Sequence, residues 1–138
     1  MRPIYEKDID RQHQRLVIKK VCDDYGYTCY ETKELCTVDY ILYKDGVPKA
    51  LAEIKWRNNT SYKYPTFYIS KAKRDEALAK AEEQKLHLWC FVHFTDGIFW
   101  FDFGKEPDFY QYGGRTDRSD IKDMEILCHY KIARLRKI

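Results

Sequence analysis

The residues of this chain with the most chemistry to offer are Asp39, within Val38-Asp39-Tyr40-Ile41-Leu42, and the triplet Glu53-Ile54-Lys55. Asp39 interrupts an otherwise apolar, strand-forming run, where an acid is out of place. In an extended segment Glu53 and Lys55 leave the same face, while Ala52, Ile54 and Trp56 take the other. An odd number of residues in the connecting loop would make Asp39 and Glu53 cross-strand neighbours on one face. Two carboxylates so close repel, and they stay ionised together only with positive charge between them. A hard divalent cation taking oxygen ligands is the usual answer, with the Ile54 carbonyl as a further candidate oxygen. Mg²⁺ bound this way keeps several waters, and a coordinated water is a better nucleophile near neutral pH. Lys55 would position that water or neutralise charge developing on a phosphate. The competing arrangement is an exposed hairpin, with Glu53 and Lys55 turned to solvent and Asp39 at a sheet edge.

The elements that must position these groups can be read from periodicity. Residues 4–24 form a helix, with Ile9, Leu16, Val17 and Val21 on one stripe and Gly26 as its stop. Glu6 lies about 20° from Val17 on that stripe, with Asp10 and His13 beside it. An acid in the first turns also suits the helix dipole, so the helix alone does not assign Glu6 a role. Residues 27–33, 38–44 and 49–57 read as strands, the last two joined at Asp45-Gly46-Val47-Pro48 into a hairpin. A second helix spans residues 70–85, with Ser70 as N-cap and Ala72, Ala77, Leu78 and Ala81 as its packing stripe. Two apolar strands, 86–94 and 98–103, flank the turn at Thr95-Asp96-Gly97. Residues from 104 to 115 read as polar loop, followed by a strand near 125–130. The order predicts an α/β fold with a central mixed sheet and helices packed against it, in one domain.

Asp39, thirteen intervening residues and Glu53-Ile54-Lys55, between a glutamate-bearing helix and a lysine-bearing helix, resemble the PD-(D/E)XK nuclease superfamily. The resemblance covers residues 4–103 and implies an αβββαβ restriction endonuclease-like core, leaving 104–138 as a C-terminal extension. It also implies that Asp39 and Glu53 bind Mg²⁺ or Mn²⁺, that Lys55 is the catalytic lysine, and that Glu6 is the first-helix acid of many members. Val38 stands where the family name has Pro. Small phage and resolvase-like members offer the nearest parallel in size and in the Tyr68-Ile69-Ser70 approach to a basic helix. The implied reaction is endonucleolytic hydrolysis of DNA in the cytoplasm, by a homodimer where both strands are cut.

Charge placement agrees with a polyanionic substrate. The whole chain of 138 residues balances 25 Lys and Arg against 22 Asp and Glu, a surplus of only three. Yet residues 54–74 hold Lys55, Arg57, Lys63, Lys71, Lys73 and Arg74 with no acid, interleaved with aromatic side chains. Such a segment suits phosphate contact and base stacking. Its bland reading is aromatics in the core and lysines in solvent. Lys73, bordering the Ala77/Ala81 stripe, is the expected phosphate contact on the second helix, with Lys71 as the alternative. Arg57 and Arg74 join them, and Arg115 and Arg118 beside Gly113-Gly114 form a second contact.

Other chemistries find less support. The five cysteines contain no CxxC pair and read as free thiols. The four histidines have no metal-ligand spacing with them, and His87 and His93 read as structural. No GxSxG or GxxxxGK[ST] motif occurs, nor any apolar stretch long enough to span a membrane. A DNA-binding domain that has kept the nuclease fold without turnover, and an interaction domain with structural acids, are the competing readings.

Overall fold

The computed structural model describes residues 4–32, 38–114 and 124–138, apart from the side chains of residues 4–8 and 10. Helix α1 (Ile4–Tyr25) leads into strands β1 (Thr28–Glu31), β2 (Tyr40–Lys44), β3 (Val47–Trp56) and β4 (Thr66–Ser70). Helix α2 (Lys71–Gln84) follows, then β5 (His87–Phe94), β6 (Gly97–Asp102), β7 (Phe109–Gly114), β8 (Met124–Lys131) and the short β9 (Arg136–Lys137). The main sheet has the order β1-β2-β3-β5-β6-β9. Its central pair, β3 and β5, is parallel and its other pairs are antiparallel, so the α/β fold with a mixed sheet expected from the sequence is present.

Helix α1 packs on one face of this sheet, where Val17, Ile18, Val21 and Cys22 meet Tyr40, Leu42, Ala52, Ile54 and Phe91. This stripe departs from the expected one: Ile9 and Leu16 are exposed, and Ile18 and Cys22 take their place. Gly26 ends the helix at φ 74°, with its N–H and that of Tyr27 on the Cys22 carbonyl.

The opposite face carries α2 and a second, three-stranded sheet of order β4-β8-β7, which sequence periodicity did not indicate. Strand β4 fell within the segment read for its charge, although Phe67 and Ile69 alternate inward with Tyr68 outward. Residues 104–115, expected as loop, contain β7, whose sequence Phe-Tyr-Gln-Tyr-Gly-Gly lacks a continuous apolar signal. Phe67, Ile69, Cys128, Tyr130 and Leu135 join Ala77, Ala81 and the large apolar residues of β5 and β6 in one core. The C-terminal segment therefore completes that core. On α2 the buried residues are Arg74, Ala77 and Ala81, whereas Ala72, expected in the stripe, is exposed.

Candidate active site

The β2–β3 hairpin sets the site. Asp45 and Gly46, with φ of 54° and 77°, make a two-residue turn of the left-handed kind that matches strand twist. Such a turn alone would put Asp39 opposite Ala52 and send Glu53 to the other face. The register instead changes between Leu42 and Tyr43, which pair with Ala50 and Pro48 and leave Lys49 as the extra residue of a β-bulge. Beyond the bulge Tyr40 pairs with Ala52, and Asp39, just ahead of β2, lies near enough to Glu53 for the two charges to interact. The odd count required by the sequence is thus met by an even turn plus one bulged residue. The Asp39 backbone is anchored on both sides, donating to the Ala52 carbonyl at 3.1 Å and accepting from the Thr32 N–H at 3.1 Å.

Glu53 is buried, at 3% exposure, on the face that carries α2. Its Oε1 takes the Lys73 ammonium at 2.5 Å and the Lys55 ammonium at 3.2 Å. Lys73 reaches it from the first turn of α2, which Ser70 caps by accepting the Lys73 N–H. Burial works to lower the Lys73 pKa, but the charge and hydrogen bond of Glu53 outweigh it, and the ammonium is held above its ordinary value. Glu53 Oε2 is buried without a hydrogen-bond partner. Asp39 Oδ2 accepts the Ile54 N–H at 2.8 Å. Burial, and after it the charge of Glu53, push the Asp39 carboxyl up to about 6, against the pull of the Ile54 N–H, Lys73 and Lys55. Behind Glu53, its β5 neighbour Cys90 is fully buried and its thiol is pushed upward, so it stays protonated.

This donor set fits a hard divalent ion: two neighbouring carboxylates, one with an orphaned buried oxygen, and beside them a Cys90 thiol that stays protonated rather than offering a soft thiolate. Among the described residues no group of three or more His, Cys, Asp and Glu side chains converges on one point. Ile54 sits two residues before the end of β3, and its N–H is engaged by Asp39.

The remaining expected contacts divide. Arg57 is half-buried, with its guanidinium over the Phe67 ring at 5.2 Å. Lys71 is on the surface, paired with Asp75 at 2.6 Å. Arg74, expected as a DNA contact, is buried instead: it is 4% exposed, and its guanidinium donates to the carbonyls of Phe103, Gly104 and Lys105 at 2.8, 3.1 and 3.1 Å. Its place three residues before Ala77, on the packing stripe, was the available signal. Glu6 belongs to α1 with its side chain outside the described set, and Arg115 and Arg118 lie outside the described residues. Sequence reading missed a further cluster at the end of β3, where His13 stacks on Trp56 at 3.9 Å and its Nε2 lies 2.7 Å from His93 Nδ1. His87, expected in a buried run, is exposed.

Comparison with known proteins bears on this geometry. The family described as "Phage putative PDDEXK endonuclease" matches the chain over residues 1–138. Among solved structures, Hjc, a Holliday junction resolvase from the archaeal hyperthermophile Archaeoglobus fulgidus, is similar with a TM-score of 0.53 at 12% identity. That likeness covers 68% of this chain and 71% of the resolvase, and it is a likeness of fold. No curated protein matches the chain.

Proposed function

The chain belongs to the phage PDDEXK endonuclease family, and from that premise we propose that it is a divalent-metal-dependent endodeoxyribonuclease selecting DNA by its structure. The observation that carries this reading is Glu53: a buried carboxylate near Asp39, with Oε1 between two lysines and Oε2 without a partner. Asp39 and Glu53 would hold Mg²⁺ or Mn²⁺, with the Ile54 carbonyl as a further oxygen. Such an ion supplies Lewis-acid polarisation to the phosphate and to the attacking water.

The protein's own groups do the rest. Lys55 orients the water for attack on phosphorus and lies beside the developing negative charge as the P–O bond to the leaving sugar oxygen breaks. Lys73 neutralises Glu53 in the metal-free site, and it would be free to neutralise phosphate charge if an ion took its place at the carboxylate. Glu6 is carried from the family resemblance as a supporting acid. Arg57 and Lys71, with Arg115 and Arg118, are proposed to contact the DNA backbone. Symmetric cutting of two strands requires two such sites, which a homodimer would bring together.

Cleavage of single-stranded, duplex and branched DNA, with and without Mg²⁺ or Mn²⁺, by the wild type and Glu53→Ala tests the reading. Divalent-dependent cleavage lost in the variant is expected, and equal cleavage by both proteins would remove the mechanism. Salt-sensitive DNA binding without turnover would instead mark a binding domain that kept the fold.

A further inference from the structure

The face of β3 that bears Glu53 and Lys55 continues to Arg57, roughly 7 Å beyond Lys55 at about 3.3 Å per residue. Arg57 borders a cavity of about 460 Å³ whose walls include Tyr64, Phe67, Tyr68, Phe94 and His129. Tyr64 and Tyr68 expose 57% and 51% of their surface, so their rings are available for stacking.

The cavity is preformed. Its rim, the connection between β3 and β4, is tied down at several points. Ser61, itself 7% exposed, donates its N–H and hydroxyl to the two Asp96 carboxylate oxygens at 2.8 and 2.7 Å. Thr95 donates to the Asn59 carbonyl at 3.0 Å, Arg57 to that of His93 at 2.9 Å, and Ile132 to that of Pro65 at 3.1 Å. A loop fixed this way needs little further ordering when a ligand binds.

His129 adds an independent sign of a ligand. It is 8% exposed, its Nδ1 lies 2.8 Å from Thr66 Oγ1, and its Nε2 is buried with no hydrogen-bond partner. Burial holds the imidazole below its ordinary pKa, hence neutral. Because the Thr66 hydroxyl can donate or accept, the neutral ring leaves Nε2 free to take the complementary role. That nitrogen is closed to solvent here, so a heteroaromatic edge would partner it on a small turn of the His129 ring toward the cavity.

We propose that this cavity receives one unpaired nucleobase of the substrate strand, stacked on Tyr64 and Tyr68 with its edge toward His129, within one or two nucleotides of the cut. A base in an intact duplex has both faces stacked and its edge paired, so it enters only if unpaired or extruded. The cavity thereby favours strands with a branch, gap or frayed end. The inference rests on the nuclease reading of Asp39 and Glu53.

The test places the fluorescent base 2-aminopurine at successive positions of a single strand, and of the same strand in duplex, bound to the protein in chelator. The expected results are quenching confined to one or two adjacent positions and single-strand affinity at least about tenfold above duplex. Tyr64→Leu and Tyr68→Leu should each lower single-strand affinity by about fivefold or more, since base stacking contributes about 1–3 kcal/mol. They should leave duplex affinity and the thermal midpoint unchanged, and Tyr30→Leu, on β1 away from the cavity, should change neither affinity. Uniform quenching, equal affinities or unaffected cavity variants would overturn the base pocket alone, provided that the wild type still cleaves DNA with metal. A wild type that cleaves no DNA would overturn the nuclease reading and the pocket with it.

Discussion

Glu53 has two unlike oxygens, Oε1 shared by two ammonium groups and Oε2 left bare in the interior. In metal-free protein Lys73 is the principal counter-charge, and a divalent ion must compete with it. Lys73→Met should therefore lower the metal-free unfolding free energy by about 1–3 kcal/mol, the penalty for a buried group losing its partner. Saturating Mg²⁺ should raise its melting midpoint more than that of the wild type; an equal or smaller rise would contradict the competition. Asp39 carries a pH signature. Its folded pKa, near 6, lies above the ordinary carboxylate value, so between about pH 4 and 6 the native state holds more protons than the unfolded one. Its contribution thus favours folding at the acid end of that window and is lost as pH rises through 6. At pH 7, without metal, Asp39→Asn should be more stable than the wild type by on the order of 2 kcal/mol. Urea denaturation in chelator measures this, and a variant no more stable than the wild type would refute the burial of an ionised Asp39.

At the scale of elements, one bulged residue decides whether the two acids meet. The alternation of Glu53 and Lys55, the intrusion of Asp39 into an apolar run and the turn at Asp45-Gly46 were all legible in the sequence. The bulge at Lys49 was not, because a bulge comes from the competition between turn geometry and core burial and leaves no composition mark. Helix α2 shows the converse. Its basic first turn was legible, but Lys73 and Arg74 have opposite fates set by the 100° between them: one reaches Glu53, and the other faces the core and binds three carbonyls at the end of β6. Arg74→Met should cost about 3 kcal/mol in denaturant unfolding, from carbonyls left without their charged donor, with DNA affinity of the folded protein within twofold of wild type. A large loss of DNA affinity at unchanged stability would return Arg74 to the interface.

Over the whole molecule, α1 covers one face of the main sheet, and α2 with the small sheet covers the other, which bears the carboxylates. The first layer was visible in the sequence, since helix periodicity and near-continuous apolar strands are local signals. The small sheet was not, because β4 and β8 pair across 56 or more intervening residues and β4 is a short strand with one exposed face. That sheet supplies Thr66, Tyr68 and His129, so the surface adjoining the acids depends on long-range pairing. Among the described residues no helix is long and apolar enough to cross a membrane. The central claim, that Asp39 and Glu53 hold the ion that drives DNA hydrolysis, is tested most directly by the single-turnover rate on branched DNA, measured against Mg²⁺ concentration for wild type and Glu53→Gln. The account predicts saturable Mg²⁺ dependence in the wild type and a rate at least about a thousandfold lower in the variant, as expected when charge stabilisation at the reacting centre is removed. A variant rate within tenfold of wild type, or a wild-type rate unchanged in chelator, would contradict it.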